Sequence, residues 1–145
     1  MYYLRHMIDR LKNWFRRRTF YVICDPNDNS VTFSKALFKH LDVMKMEKAQ
    51  VYVFSLAPSD RALHEKGEYG FILNPNFEQE TQLADIQYND KHKTIGFECL
   101  VPTVNRIFYD YGLPHDKPVK LSVKVCLAGD IQYYKICRPH DKHLG

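Results

Sequence analysis

A chain of 145 residues, 45% hydrophobic and 26% charged, is long enough to bury a core without disulfides or metal and too apolar to stay disordered. Ten tyrosines, nine phenylalanines and recurrent β-branched runs favour strands, and no apolar run approaches the roughly 20 residues that span a bilayer. The net charge of +4 is unevenly held: residues 1–20 carry +5 and the remainder −1, which does not describe a uniformly basic nucleic-acid-binding domain.

Residues 1–19 read as a basic amphipathic helix. Leu4, Met7, Ile8, Leu11, Trp14 and Phe15 recur on one helical face, and Arg5, Arg10, Lys12 and Arg16 on the other. Cations near its end suit the negative end of the helix dipole. No apolar h-region follows the N-terminal charge, so a signal peptide is not expected and a cytoplasmic location is.

The rest, 20–145, reads as a single globular domain with two similar halves, 20–75 and 94–139. In the first half, residues 20–24 (FYVIC) form a strand, residues 25–30 (DPNDNS) a turn, and Val31 restarts a strand. Ser34 caps a helix from Lys35 to about Leu41, followed by strands over 51–56 and 69–73. Residues 76–93 are an acidic connector, whose periodicity suits a helical turn and an edge strand equally. In the second half, strand 94–100 precedes a helix opened by Pro102 and ended by Gly112. Residues 119–125 alternate strictly, residues 128–130 turn the chain, and residues 131–137 return it.

The order is therefore β-α-β-β twice. A shift of 70 positions aligns residues 31–55 with 101–125 without a gap, placing Leu37 on Ile107, Phe38 on Phe108, Val51 on Leu121 and Val53 on Val123. The fold expected is α+β, a β-barrel or strongly twisted sheet built from two β-α-β-β units, with the amphipathic helix in front.

Cys24, Cys99, Cys126 and Cys137 have no Cys-x-x-Cys spacing and lie in or beside strand-like runs, so they are expected as reduced thiols, with the first three largely buried. His140 and His143 lie in a terminal tail, and His115 in a proline-flanked loop. Neither place suits a preorganised metal site, and no cofactor is expected. No Gly-rich phosphate loop is present in the sequence. Lys120 and Lys124 share a strand face with Ser122, a pattern that suits a solvated face. Tyr133 and Tyr134 point to opposite faces, one to the core and one outward.

The segments VTFSKALFKHLDV, VYVFSL and YGFIL, and their counterparts ECLVPTVNRIFYDYGL, VKLSVKV and IQYYKI, resemble the swapped-hairpin barrels of the AbrB/MraZ/MazE group. The resemblance implies two interlocked units in one closed barrel and DNA binding by a transcription regulator or antitoxin. Pro102 matches that group's helix-opening proline, and Ser34 replaces it in the first unit. Where the group commonly places a basic residue before the strand's aliphatics, this chain has Asn29-Ser30 and Glu98-Cys99.

The expected function is that of a non-enzymatic binding protein, a nucleic-acid-binding regulator that meets DNA or RNA through Arg10, Lys12, Arg16, Arg17 and Arg18. The alternative is a protein–protein interaction module with no nucleic-acid role, and an enzyme is third. The N-terminal helix has three readings: packing of its apolar face on the body or on a second subunit, binding of phosphate through Arg10, Lys12, Arg16, Arg17 and Arg18, and lying on an anionic membrane.

Overall fold

In the first half of the chain, alternation of apolar and polar residues builds one wall of a barrel. The computed structural model describes residues 19–42, 49–56, 67–75, 83–90 and 94–139. Strands β1 (Tyr21–Asp25) and β2 (Ser30–Phe33) form a hairpin that points Val22, Cys24, Val31 and Phe33 inward. Helix α1 (Lys35–Leu41) starts where the Ser34 Oγ accepts the Leu37 N–H at 3.2 Å, and it buries Leu37 and Leu41. It stops at Asp42, whose left-handed backbone (φ 56°) cannot continue the helix. Strands β3 (Gln50–Leu56) and β4 (Glu68–Leu73) then pair antiparallel.

The second half adds five strands and one helix. After β5 (Ala84–Asp85) and β6 (Gln87–Asn89) comes β7 (Thr94–Glu98). Helix α2 (Thr103–Tyr111) buries Val104, Ile107, Phe108 and Tyr111, which share one face by their spacing. It ends at Gly112 (φ 66°), whose N–H reaches back to the carbonyls of Phe108 and Tyr109. Strands β8 (Val119–Ala128) and β9 (Ile131–Ile136) form the last hairpin.

All pairings are antiparallel, in the order β5-β3-β4-β9-β8-β1-β2-β7-β6. The two ends of that order, β5 and β6, are separated in the chain only by Ile86. Residues 84–89 thus pair with β3 at one end and with β7 at the other, and nearly close the sheet into a barrel. Near closure removes most of the unpaired strand edge. The acidic stretch read as a connector therefore also supplies sheet.

The barrel is filled. Phe71 sits against Phe33, Phe97 and Tyr134, with ring centroids 5.8, 6.1 and 5.1 Å away. Such aromatic contacts add to area burial. The architecture is mostly β, and the α contribution among the described residues is two short helices. The expected amphipathic helix lies outside the described residues. No helix among the described residues is long and apolar enough to cross a membrane.

One expectation needs correction. Cys24 is fully buried, but Cys99 and Cys126 are only partly so. Strand parity explains Cys126: Leu121 and Val123 point inward, so position 126 points out.

Candidate functional site

The outer face of β3, β4, β9 and β8 carries the chemistry that stands out. Register places Phe54 beside Gly70, Gly70 beside Lys135, and Lys135 beside Lys124, in one line across four strands. In the adjoining line Tyr52 neighbours Ile72, and Tyr133 neighbours Cys126. These outward side chains follow from the period of two along each strand.

The rings are in contact. Tyr52 and Phe54 stack with centroids 6.2 Å apart and planes 17° apart, and Tyr133 meets Phe54 edge-on at 5.8 Å. Gly70 shapes this arrangement. A Cβ there would come within 3.3 Å of Phe54 Cζ and 3.5 Å of its Cε2, so the Phe54 ring lies against the backbone of β4. Leu56, Ile72, Ala128 and Ile131 complete an apolar hollow of about 280 Å³ around Tyr52, Phe54 and Tyr133.

Cations border this face. Lys120, Lys124 and Lys135 all point outward from β8 and β9. Lys120 Nζ lies 3.9 Å from the centroid of the Tyr21 ring, a cation–π contact. Lys135 approaches Glu68 at 3.8 Å, with both side chains partly exposed. Such a surface pair contributes little and yields readily to a stronger anion. Beyond β1, strands β2, β6 and β7 line a polar groove of about 360 Å³ that holds Asp28, Asp90 and Glu98. Three outward lysines thus share the β8-β9 wall, with Glu68 beside one of them, and three carboxylates gather at the groove of β2, β6 and β7.

A second cavity, of about 340 Å³, lies between β3 and the start of α2, with Ser55, Tyr69, Cys99, Thr103 and Arg106 among its walls. Burial pushes the Cys99 thiol up to about 11, against the Thr103 hydrogen bond that lowers it. A thiol held protonated is a poor nucleophile. Behind that cavity a polar knot ties α2 to the sheet. The Tyr111 hydroxyl accepts the Tyr69 N–H at 2.8 Å and donates to the Ile136 carbonyl, while the Tyr69 hydroxyl donates to Asp110. Arg138 donates to the carbonyls of Asp110 and Gly67 and lies over the Tyr111 ring. These groups are engaged with one another.

The residues expected to meet nucleic acid, Arg10, Lys12, Arg16, Arg17 and Arg18, lie outside the described residues, as do His140 and His143. Of the strand residues singled out, Lys120 and Lys124 do share an outward face, and Tyr133 is the outward tyrosine of its pair, with Tyr134 in the core. Sequence reasoning passed over Tyr52, Phe54 and Lys135. The available signal was that residues 51–56 are apolar at both parities, so one face had to carry apolar side chains outside the core. No family model, no curated protein and no solved structure matches this chain.

Proposed function

We propose that this chain is a non-enzymatic binding protein whose ligand is nucleic acid. The observation that carries the reading is a cluster of outward cations: Lys120, Lys124 and Lys135 share the outer wall of β8 and β9, beside the rings of Tyr52, Phe54 and Tyr133. Clustered cations attract a polyanion, even on a body of near-zero net charge. The N-terminal cations Arg10, Lys12, Arg16, Arg17 and Arg18 add to the same attraction.

A swapped-hairpin barrel of the AbrB/MraZ/MazE kind, made of two like units, is part of this proposal. Several pairings support it. Hairpins β3-β4 and β8-β9 join through β4 and β9, and β2 pairs β7. The left-handed caps Asp42 and Gly112 stand at corresponding ends of the two helices. The role of regulator rests on that resemblance.

The test is a fluorescence-anisotropy titration with random DNA and RNA, duplex and single-stranded, at about 50 and 200 mM salt. Binding that weakens steeply with salt is expected. No binding at the lower salt would overturn the reading. A protein-interaction module is the second reading. It is favoured by Leu127 and Ile131, which are 72% and 59% exposed at the rim of the aromatic face. Loss of all nucleic-acid binding would leave that reading in place.

A further inference from the structure

We propose that the outer face of β3, β4, β9 and β8 binds nucleic acid as a single strand, stacking its bases on Phe54, Tyr133 and Tyr52 while Lys124 and Lys135 hold its phosphates. This rests on the nucleic-acid reading above and deepens it by naming the form of the ligand and the residues that take it.

Geometry selects a single strand. The rings form one surface cluster: Phe54 rests its ring tip against the side-chain-free Gly70, Tyr52 lies nearly parallel to it, and Tyr133 stands edge-on. A ring in such a cluster meets the flat face of a base. In a duplex those faces are stacked on neighbouring base pairs and are not offered. Single strands expose them, and aromatic platforms bind them with little sequence preference because every base has a π-face. Edge-on contact between Tyr133 and Phe54 keeps the second ring upright beside the first, a wall for a base lying on Phe54.

The cations sit where the backbone of such a strand would run. Lys135 is two strands from Phe54, and Lys124 is three. At about 4.8 Å per strand this puts the lysine stems roughly 10–14 Å from the Phe54 stem. That leaves a base and its sugar room to extend from ring to ammonium. A displaceable partner, Glu68, holds Lys135 in the absence of ligand. A purely apolar partner would gain nothing from the two lysines and would have to desolvate them.

The test uses the full chain and fluorescein-labelled oligo-dT and oligo-U of about 15 nucleotides, within the range that such sites cover. A duplex of the same length is the third probe. The expected order is either single strand at least tenfold tighter than the duplex. Phe54→Leu with Tyr133→Leu keeps apolar volume and removes both π-faces; it should weaken single-strand binding about 10- to 100-fold. Lys124→Gln with Lys135→Gln should lower the salt slope by about 1.4, the value for two phosphates of a single strand. Circular dichroism and urea unfolding must match the parent, and Phe54→Tyr, which keeps a ring, should retain parental affinity.

Duplex binding equal to single-strand binding would overturn the single-strand inference and leave the nucleic-acid reading standing. So would full affinity in the folded leucine variant, especially if Arg16, Arg17 and Arg18 replaced together by Ala abolished binding. Absence of binding by every probe would overturn both.

Discussion

Asn29 caps helix α2 at Val104 from the far side of a strand pairing: its Oδ1 accepts the Val104 N–H at 3.1 Å. The helix has no capping side chain of its own, because Pro102 stands at its N-cap. The same side chain's Nδ2 donates to the carbonyls of Cys99 and Val101, at 2.8 and 2.7 Å, and the Asn29 carbonyl accepts the Cys99 N–H. Left-handed backbone (φ 53°) suits asparagine here better than most residues.

Replacing Asn29 by Ala should therefore cost about 2–3 kcal/mol, since three hydrogen bonds of about 1 kcal/mol each are lost. Asn29→Asp should cost a similar amount. It keeps the acceptor for Val104 but turns a carboxylate oxygen toward two carbonyl oxygens. Urea unfolding of the three proteins measures this. An aspartate variant as stable as the parent would show that the amide donors contribute nothing.

At Gly96 the backbones of β2 and β7 approach closely. A Cβ on Gly96 would stand 2.0 Å from the Val31 carbonyl oxygen and 2.8 Å from Thr32 Cα, both backbone atoms. Neither can move without parting β2 from β7, which pair at Val31 and Phe97. Gly96→Ala should destabilise by at least the upper end of the usual 1–3 kcal/mol for overpacking. Gly129→Ala makes a useful contrast, because a Cβ there meets nothing within 4 Å and only the left-handed φ of 62° opposes it. Thermal unfolding of both variants should rank Gly96→Ala well below Gly129→Ala.

Much of this fold was legible in the chain because its signals are local. Ser34 ahead of an apolar-periodic run located α1, Gly112 located the end of α2, and strict alternation located β8. What stayed hidden depends on partners distant in sequence. Residues 84–89 carry too short and polar a pattern to declare two strands; they pair because Val51 and Gly96 present open edges to them. The cap on α2 comes from Asn29, 75 residues away, which reads in sequence only as one more turn asparagine. The aromatic face was hidden for the same reason. Phe54 and Tyr133 meet across β4, and nothing in either strand alone says that a glycine lies between them.

Tyr111 anchors α2 to the sheet through its hydroxyl, which serves the Tyr69 N–H and the Ile136 carbonyl at once. Tyr111→Phe keeps the ring and strands two backbone groups of buried residues. The expected loss is about 2–4 kcal/mol, from the desolvation cost of each unpaired group. Tyr69→Phe removes only the partly buried bond to Asp110 and should cost less, about 1 kcal/mol. Chemical denaturation of both variants decides the ranking. Equal losses would mean that the Tyr111 hydroxyl is not the anchor.

Stability should fall in alkaline solution, and the cause is burial. It pushes the Cys24 thiol from its ordinary 9.0 up to about 12 and the Cys99 thiol up to about 11. Burial likewise raises the Tyr69 hydroxyl from 10.0 to about 12, helped by its bond to Asp110, and raises Tyr111 and Tyr134. All are neutral when protonated, and the folded chain favours that form. Below about pH 9 folded and unfolded chains hold these protons alike, so their contribution to stability is fully present. Above it the unfolded thiols lose protons that the folded ones keep, and from about pH 10 the tyrosines follow. Stability then declines as pH rises through 9 to 12, the span between the ordinary and the raised values. The midpoint of urea unfolding, followed upward from neutrality, should stay level and then drop in that window. Burial raises the Cys137 thiol as well, so Cys24→Ala with Cys99→Ala and Cys137→Ala should be less stable throughout, because a core thiol is lost, yet should begin its alkaline decline later, near the tyrosine value of 10.0. An unchanged onset in that triple variant would mean that the thiols do not govern the first part of the fall.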